Sequence, residues 1–129
     1  MRRLANWWQW AAVRSAAGRI AFRAEPPNYG FEPYDRSIRL LKANLSPAQI
    51  SQFDQHSFFD IKGGDTGKRY RIRHGRVGNV EEHNSQGTCV RKWCFSPAGQ
   101  LPMGDVMLAQ KLALEMFERD AIRVANRMW

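Results

Sequence analysis

Between Phe58 and Phe95 the chain alternates apolar and polar residues in short runs, and each run ends in a turn too short to carry a crossover. Phe59, Ile61, Tyr70, Ile72, Val80 and Trp93 hold the apolar positions. The turns are Gly63-Gly64-Asp65-Thr66-Gly67, Gly75 to Gly78, and the stretch around Gln86-Gly87. Parallel neighbours need connections of about a dozen residues or more. These runs must therefore fold back on one another, and the pattern predicts four antiparallel strands in a meander, near 58–62, 68–74, 79–83 and 89–95.

Helical signals flank the meander. Ser46-Pro47-Ala48-Gln49 offers a capping serine, a proline suited to the first helical position and a glutamine to complete a capping box, so a helix is expected to about Gln55. After the loop Ser96-Pro97-Ala98-Gly99-Gln100-Leu101-Pro102, Asp105 is the expected N-cap of a long helix that is strongly apolar from Val106 to Met116. A break or bend is expected over Glu118–Asp120, with helix resuming from Ala121 to Met128. Upstream, Leu4, Trp7, Trp8, Ala11 and Ala12 repeat at helical spacing within residues 3–23. Paired prolines, Pro26-Pro27, end that segment. A connector to about Asp35 and one or two helical turns over 36–43 are expected next. The class is α+β: a four-stranded antiparallel β-meander, a long C-terminal helix laid across one face, and N-terminal helices. Leu108 and Leu112 are the expected cover for Phe59, Ile72, Val80 and Trp93. The chain divides into a basic helical leader and connector, 1–43, and an α+β domain, 44–129.

The 129 residues carry a formal charge of +8. Its distribution matters more than its size. Residues 1–24 hold Arg2, Arg3, Arg14, Arg19 and Arg23 without an acid, which gives +5. Residues 25–43 balance three basic against three acidic side chains. The 12 basic and 9 acidic residues of 44–129 leave only +3. Two cysteines make no disulfide framework, which points to a reducing, cytoplasmic setting. No run reaches the roughly 18 apolar residues of a membrane span. In the leader, Trp7, Trp8 and Trp10 among arginines suit an anchor on a protein partner or on a second copy. A membrane interface and packing on the chain's own domain are the other readings. A secretory signal is disfavoured, because Asn6 and Gln9 interrupt its apolar stretch and Arg14 and Arg19 crowd the cleavage region.

Motifs that carry chemistry mostly fail on their mechanics. Asp65-Thr66-Gly67 matches an aspartic-protease triplet, but Lys62-Gly63-Gly64 precedes it instead of an apolar strand, and a tight turn explains it. Gly63 to Lys68 is one residue short of a phosphate loop, Arg69 stands where Ser or Thr is needed, and a strand follows instead of a helix. Cys89, Cys94, His56, His74 and His83 show no C-x-x-C or H-x-x-x-H spacing, and Cys89 and Cys94 would lie on opposite faces of a regular strand. The order of elements is similar to a SWIM-type zinc finger at Cys94 alone, since Met103-Gly104-Asp105 replaces the later ligands. Neither a metal nor a cofactor is expected, and the cysteines read as buried structural residues. Glu81 and Glu82 are adjacent, so they point to opposite faces and cannot act as a pair. An enzyme remains an outside reading, requiring a polar pocket around Asp65, His74 or Cys94.

Lys68-Arg69-Tyr70-Arg71-Ile72-Arg73 is the most charged strand. Pairing Phe59 with Ile72, Ile72 with Val80 and Val80 with Trp93 puts Asp60, Arg71, Glu81 and Lys92 in one outer row. Such alternation stabilises by roughly 0.2–1 kcal/mol per cross-strand pair. Arg69 and Arg73 find no acid in that register. With Lys68 and Arg76 they form the candidate nucleic-acid contact.

From Asn44 on, the chain resembles a small domain, without an assigned activity, of alphaproteobacterial and phage-associated proteins. The resemblance covers residues 44–126. It rests on Asn44-Leu45-Ser46-Pro47-Ala48-Gln49, Gly64-Asp65-Thr66-Gly67 with Tyr70-Arg71-Ile72, Asn79-Val80, Cys94-Phe95 with Pro97, and Leu101-Pro102 with Gly104 to Lys111. It implies a bacterial context and brings no catalytic residue. The expected function is a non-enzymatic binding or accessory module working through protein contacts or self-association, with nucleic-acid binding as the alternative.

Overall fold

The computed structural model describes residues 32–75 and 77–127; Trp7, Trp8, Trp10, Arg76 and the arginines of residues 1–24 lie outside them. Two helices, α1 (Glu32–Ala43) and α2 (Pro47–His56), precede strands β1 (Phe58–Lys62), β2 (Arg69–Arg73), β3 (Val80–His83) and β4 (Cys89–Cys94). A long helix α3 (Met103–Val124) and a two-residue strand β5 (Asn126–Arg127) follow. The fold is α+β. Its strands are antiparallel in the order β1-β2-β3-β4-β5. Phe59 pairs with Ile72, Ile72 with Val80, and Val80 with Trp93, the registers expected from the alternation.

Strand alternation sends Phe59, Ile61, Tyr70, Ile72 and Val80 to one face, where all are buried. Helix α3 lies against β1 and β2 there and packs on α1. Its core residues include Met107, Leu108 and Leu114, whereas Leu112 is only partly buried at the margin. Complete burial of an aliphatic or aromatic side chain contributes roughly 1.5–3 kcal/mol. Leu41 of α1 is fully buried in this core, so the packed unit reaches back before Asn44. Helix α1 is also longer than the expected turn or two, since Glu32 and Asp35 supply acids to its first turn.

The Ser46–Gln49 capping box forms as expected and Pro47 opens α2. The start of α3 differs. Pro102, not Asp105, is the N-cap, and it makes no side-chain cap bond. Ser37 of α1 takes that role from across the fold, its hydroxyl accepting from Gly104 N–H at 3.1 Å. The end of α3 differs too. The helix stops at Val124, and Asn126–Arg127 pair with Trp93 and Cys94 as a fifth strand instead of continuing the helix.

The expected bend in α3 falls at Phe117, whose φ of −141° and ψ of 45° are not helical. The β1–β2 turn plugs this kink. Gly64 N–H donates to Leu114 C=O at 3.0 Å, and Asp65 Oδ2 accepts from Arg119 N–H at 3.0 Å, capping the helical segment that resumes after the kink. Glu118 turns inward, where its Oε1 accepts from the N–H groups of Asp65 and Thr66. Its Oε2 accepts from the hydroxyls of Thr66 and Tyr70. A side chain at Gly64 would run into the backbone carbonyl of Glu115, so the approach needs glycine.

Candidate functional site

The sheet face opposite α3 carries the polar residues of the alternation. Asp60 and Arg71 pair there bidentately at 2.8 and 3.1 Å. The rest of the expected charge row is modified. Glu81 does not rest on Arg71 as a solvated partner; it is 5% exposed and binds Arg73 Nε at 2.6 Å and His83 Nε2 at 3.0 Å. Arg73 therefore does have an acid, reached diagonally across the strands. On the α3 side, Glu82 accepts from Arg91 at 3.0 Å and from Trp93 Nε1 at 3.3 Å, and Lys68 lies 3.6 Å from it. The two adjacent glutamates thus face opposite ways, as the alternation requires.

Of the four candidate nucleic-acid residues, two are partly neutralised. Arg73 is held by Glu81, and Lys68 stands near Glu82. Arg76 lies outside the described residues. Arg69 is exposed and sits directly opposite Lys62 across β1–β2. Neither Lys62 nor Arg69 has an acidic partner among the described residues. Like charges in directly opposed positions repel, and here the repulsion is left standing. Lys62, Lys68, Arg69 and Arg91 line one open groove of about 520 Å³ at the turn end of the sheet. Thr66, Asn84 and Ser85 add polar groups, and Glu82 is its one carboxylate. Lys62 and Arg91 were not among the residues singled out in the sequence. The register that pairs Phe59 with Ile72 also sets Lys62 opposite Arg69.

A second cluster gathers Glu81, His83 and Cys89, whose ligand atoms all lie within 4.8 Å of one another. A β-bulge makes this possible. Glu82 pairs with Arg91 but His83 pairs with Cys89, so Val90 is the extra residue. The bulge reverses the alternation that a regular strand would give, turning Cys89 onto the face of His83 and Glu81. Both cysteines are free thiols and only half-buried, not the fully buried pair expected. Burial, followed by the nearby Glu81 charge, holds the Cys89 thiol above its ordinary value. Desolvation pushes Glu81 upward, but bonds from Arg73 and His83 outweigh it and keep its carboxyl below the usual range.

Asp65, His74 and Cys94, the groups an enzymatic pocket would need, do not converge. Asp65 caps the second segment of α3, and His74 lies beyond the far end of β2, within 2.9 Å of the Tyr34 hydroxyl. Cys94 pairs with Asn126 on the β4–β5 ladder.

Comparison of the chain with protein-family models, curated proteins and solved structures finds no match. Among the described residues no helix is long and apolar enough to cross a membrane.

Proposed function

We propose that this domain is a binding module for an anionic partner, a nucleic-acid backbone, engaged through the groove formed by Lys62, Lys68, Arg69 and Arg91. The observation that carries the reading is the Lys62–Arg69 pair. Two cations stand directly opposite on neighbouring strands, without an acid between them, in a concave surface that two more cations line. A phosphate bridging them relieves the repulsion, and Lys and Arg are the side chains that position a nucleic-acid backbone. The Ser85 hydroxyl and the Asn84 amide add neutral donors of the kind that accompany such contacts.

The protein-contact reading rests on Trp7, Trp8 and Trp10, which lie outside the described residues. It stays a proposal about the leader, whereas the groove belongs to the domain.

Fluorescence anisotropy with a labelled single-stranded oligonucleotide tests the groove. The full chain should bind at low salt, and Arg69→Glu should weaken binding by at least about tenfold with an unchanged thermal midpoint. Equal binding by Arg69→Glu would remove the groove from the account.

A further inference from the structure

We propose that Glu81, His83 and Cys89 form a zinc-binding site on the sheet face opposite α3. The inference is independent of the anion-binding reading.

Three observations converge. The donor set is one carboxylate oxygen, one imidazole nitrogen and one sulfur, each of a type that binds zinc, and the three atoms lie within 4.8 Å of one another. The imidazole is oriented as a ligand would be. His83 Nδ1 lies 3.1 Å from the carbonyl oxygen of Gly87, which can only accept, so Nδ1 carries the proton. His83 Nε2 faces Glu81 Oε1 at 3.0 Å, so both prospective ligand atoms point into one space. In the metal-free chain a proton between them closes the contact, and zinc would displace that proton to the buffer. A carbonyl on the remote nitrogen is the usual support of a metal-bound histidine. Arg73 supplies the equivalent support for the carboxylate by holding Oε2 at 2.6 Å, which leaves Oε1 free to ligate.

Geometry and charge both fit. Bonds of about 2.0 Å to nitrogen and oxygen and about 2.3 Å to sulfur, at tetrahedral angles, separate ligand atoms by roughly 3.3–3.6 Å. The Glu81–His83 contact is already close to this, and a side-chain rotation brings Cys89 in. Binding transfers the Cys89 thiol proton to the buffer. The thiolate and the carboxylate then balance the two charges of the ion, so the half-buried centre is neutral and Arg73 and Lys92 nearby do not oppose it. Three protein ligands leave one tetrahedral position for water. His83 also lines the open groove, which gives the ion a path in. The bulge at Val90 has a physical purpose in this reading, since without it Cys89 would face away.

The test uses the full chain, reduced and stripped of metal, titrated with Co²⁺ as a spectroscopic probe and then with Zn²⁺ in competition. The proposal expects one equivalent of Co²⁺ and a thiolate-to-cobalt charge-transfer band that Zn²⁺ abolishes. The chain has only two cysteines, so Cys94→Ser should keep the band and Cys89→Ser should lose it. His83→Gln should weaken Co²⁺ binding, and Arg73→Ala should do so by about tenfold. Lys62→Ala with Arg69→Ala should leave the band intact, which separates this site from the groove. Circular dichroism of each variant without metal shows whether it is folded. Should Cys89→Ser be unfolded, wild-type chain with Cys89 alkylated after folding replaces it. A band absent from wild type, or lost in Cys94→Ser and retained without the Cys89 thiol, would overturn the assignment.

Discussion

The phenol of Tyr70 donates a hydrogen bond of 2.6 Å to the carboxylate of Glu118, joining β2 to the kink of α3. The same carboxylate receives Asp65 N–H, Thr66 N–H and the Thr66 hydroxyl. One buried anion therefore satisfies the β1–β2 turn and fixes where the helix bends. Glu118→Ala leaves these donors without a partner, at a cost of roughly 1–3 kcal/mol per buried unsatisfied group. A loss of about 3 kcal/mol is expected in urea unfolding. Glu118→Gln keeps an acceptor oxygen for the two N–H groups and should lose about half as much.

The same site sets an acid limit. Burial pushes the Glu118 carboxyl upward, but its hydrogen bonds from Thr66, Tyr70 and Asp65 outweigh that and hold it below its ordinary value of 4.5. A folded-state value below the unfolded one means the stabilisation is fully present above about pH 4.5 and is lost as pH falls through the folded value. Unfolding free energy measured from pH 6 down to pH 2 should drop below pH 4.5 in the wild type. The drop should be smaller in Glu118→Gln, which has no charge to lose. Parallel curves for the two proteins would contradict this role.

Two glycines separate close approach from mere turn propensity. Gly64→Ala pushes a methyl group into the Glu115 carbonyl and should destabilise by about 2–3 kcal/mol, with α3 shifting off the turn. Gly75→Ala meets open space without a left-handed backbone, and should be neutral or stabilising by up to about 1 kcal/mol. Thermal denaturation of the two variants side by side checks the contrast.

The strands were legible because period-two alternation and short turns leave a chain few choices. Phe59–Ile72, Ile72–Val80 and Val80–Trp93 are pairings consistent with that pattern, and they form. The Ser46 capping box is equally local. What the sequence hides is whatever depends on a distant partner. Ser37 capping α3, Asp65 capping the segment after Phe117, and Glu118 gathering the β1–β2 turn are all contacts between separate elements. The Cys89 cluster was hidden for a different reason. Alternation predicts the facing of a residue only while the strand is regular, and the extra residue Val90 reverses it. The Asp-Thr-Gly triplet was rightly read as a turn, but its grip on α3 needed the kink at Phe117 to be seen.

If the Lys62–Arg69 groove binds a phosphate backbone, the affinity of the chain for an oligonucleotide depends on salt through those two cations. Each single-strand phosphate contact contributes about 0.7 to the slope of log affinity against log salt. The full chain should show a steep negative slope, and Lys62→Ala with Arg69→Ala should reduce its magnitude by about 1.4 while affinity at low salt falls. An unchanged slope and affinity in that double variant would contradict the claim and assign any binding to the arginines elsewhere in the chain.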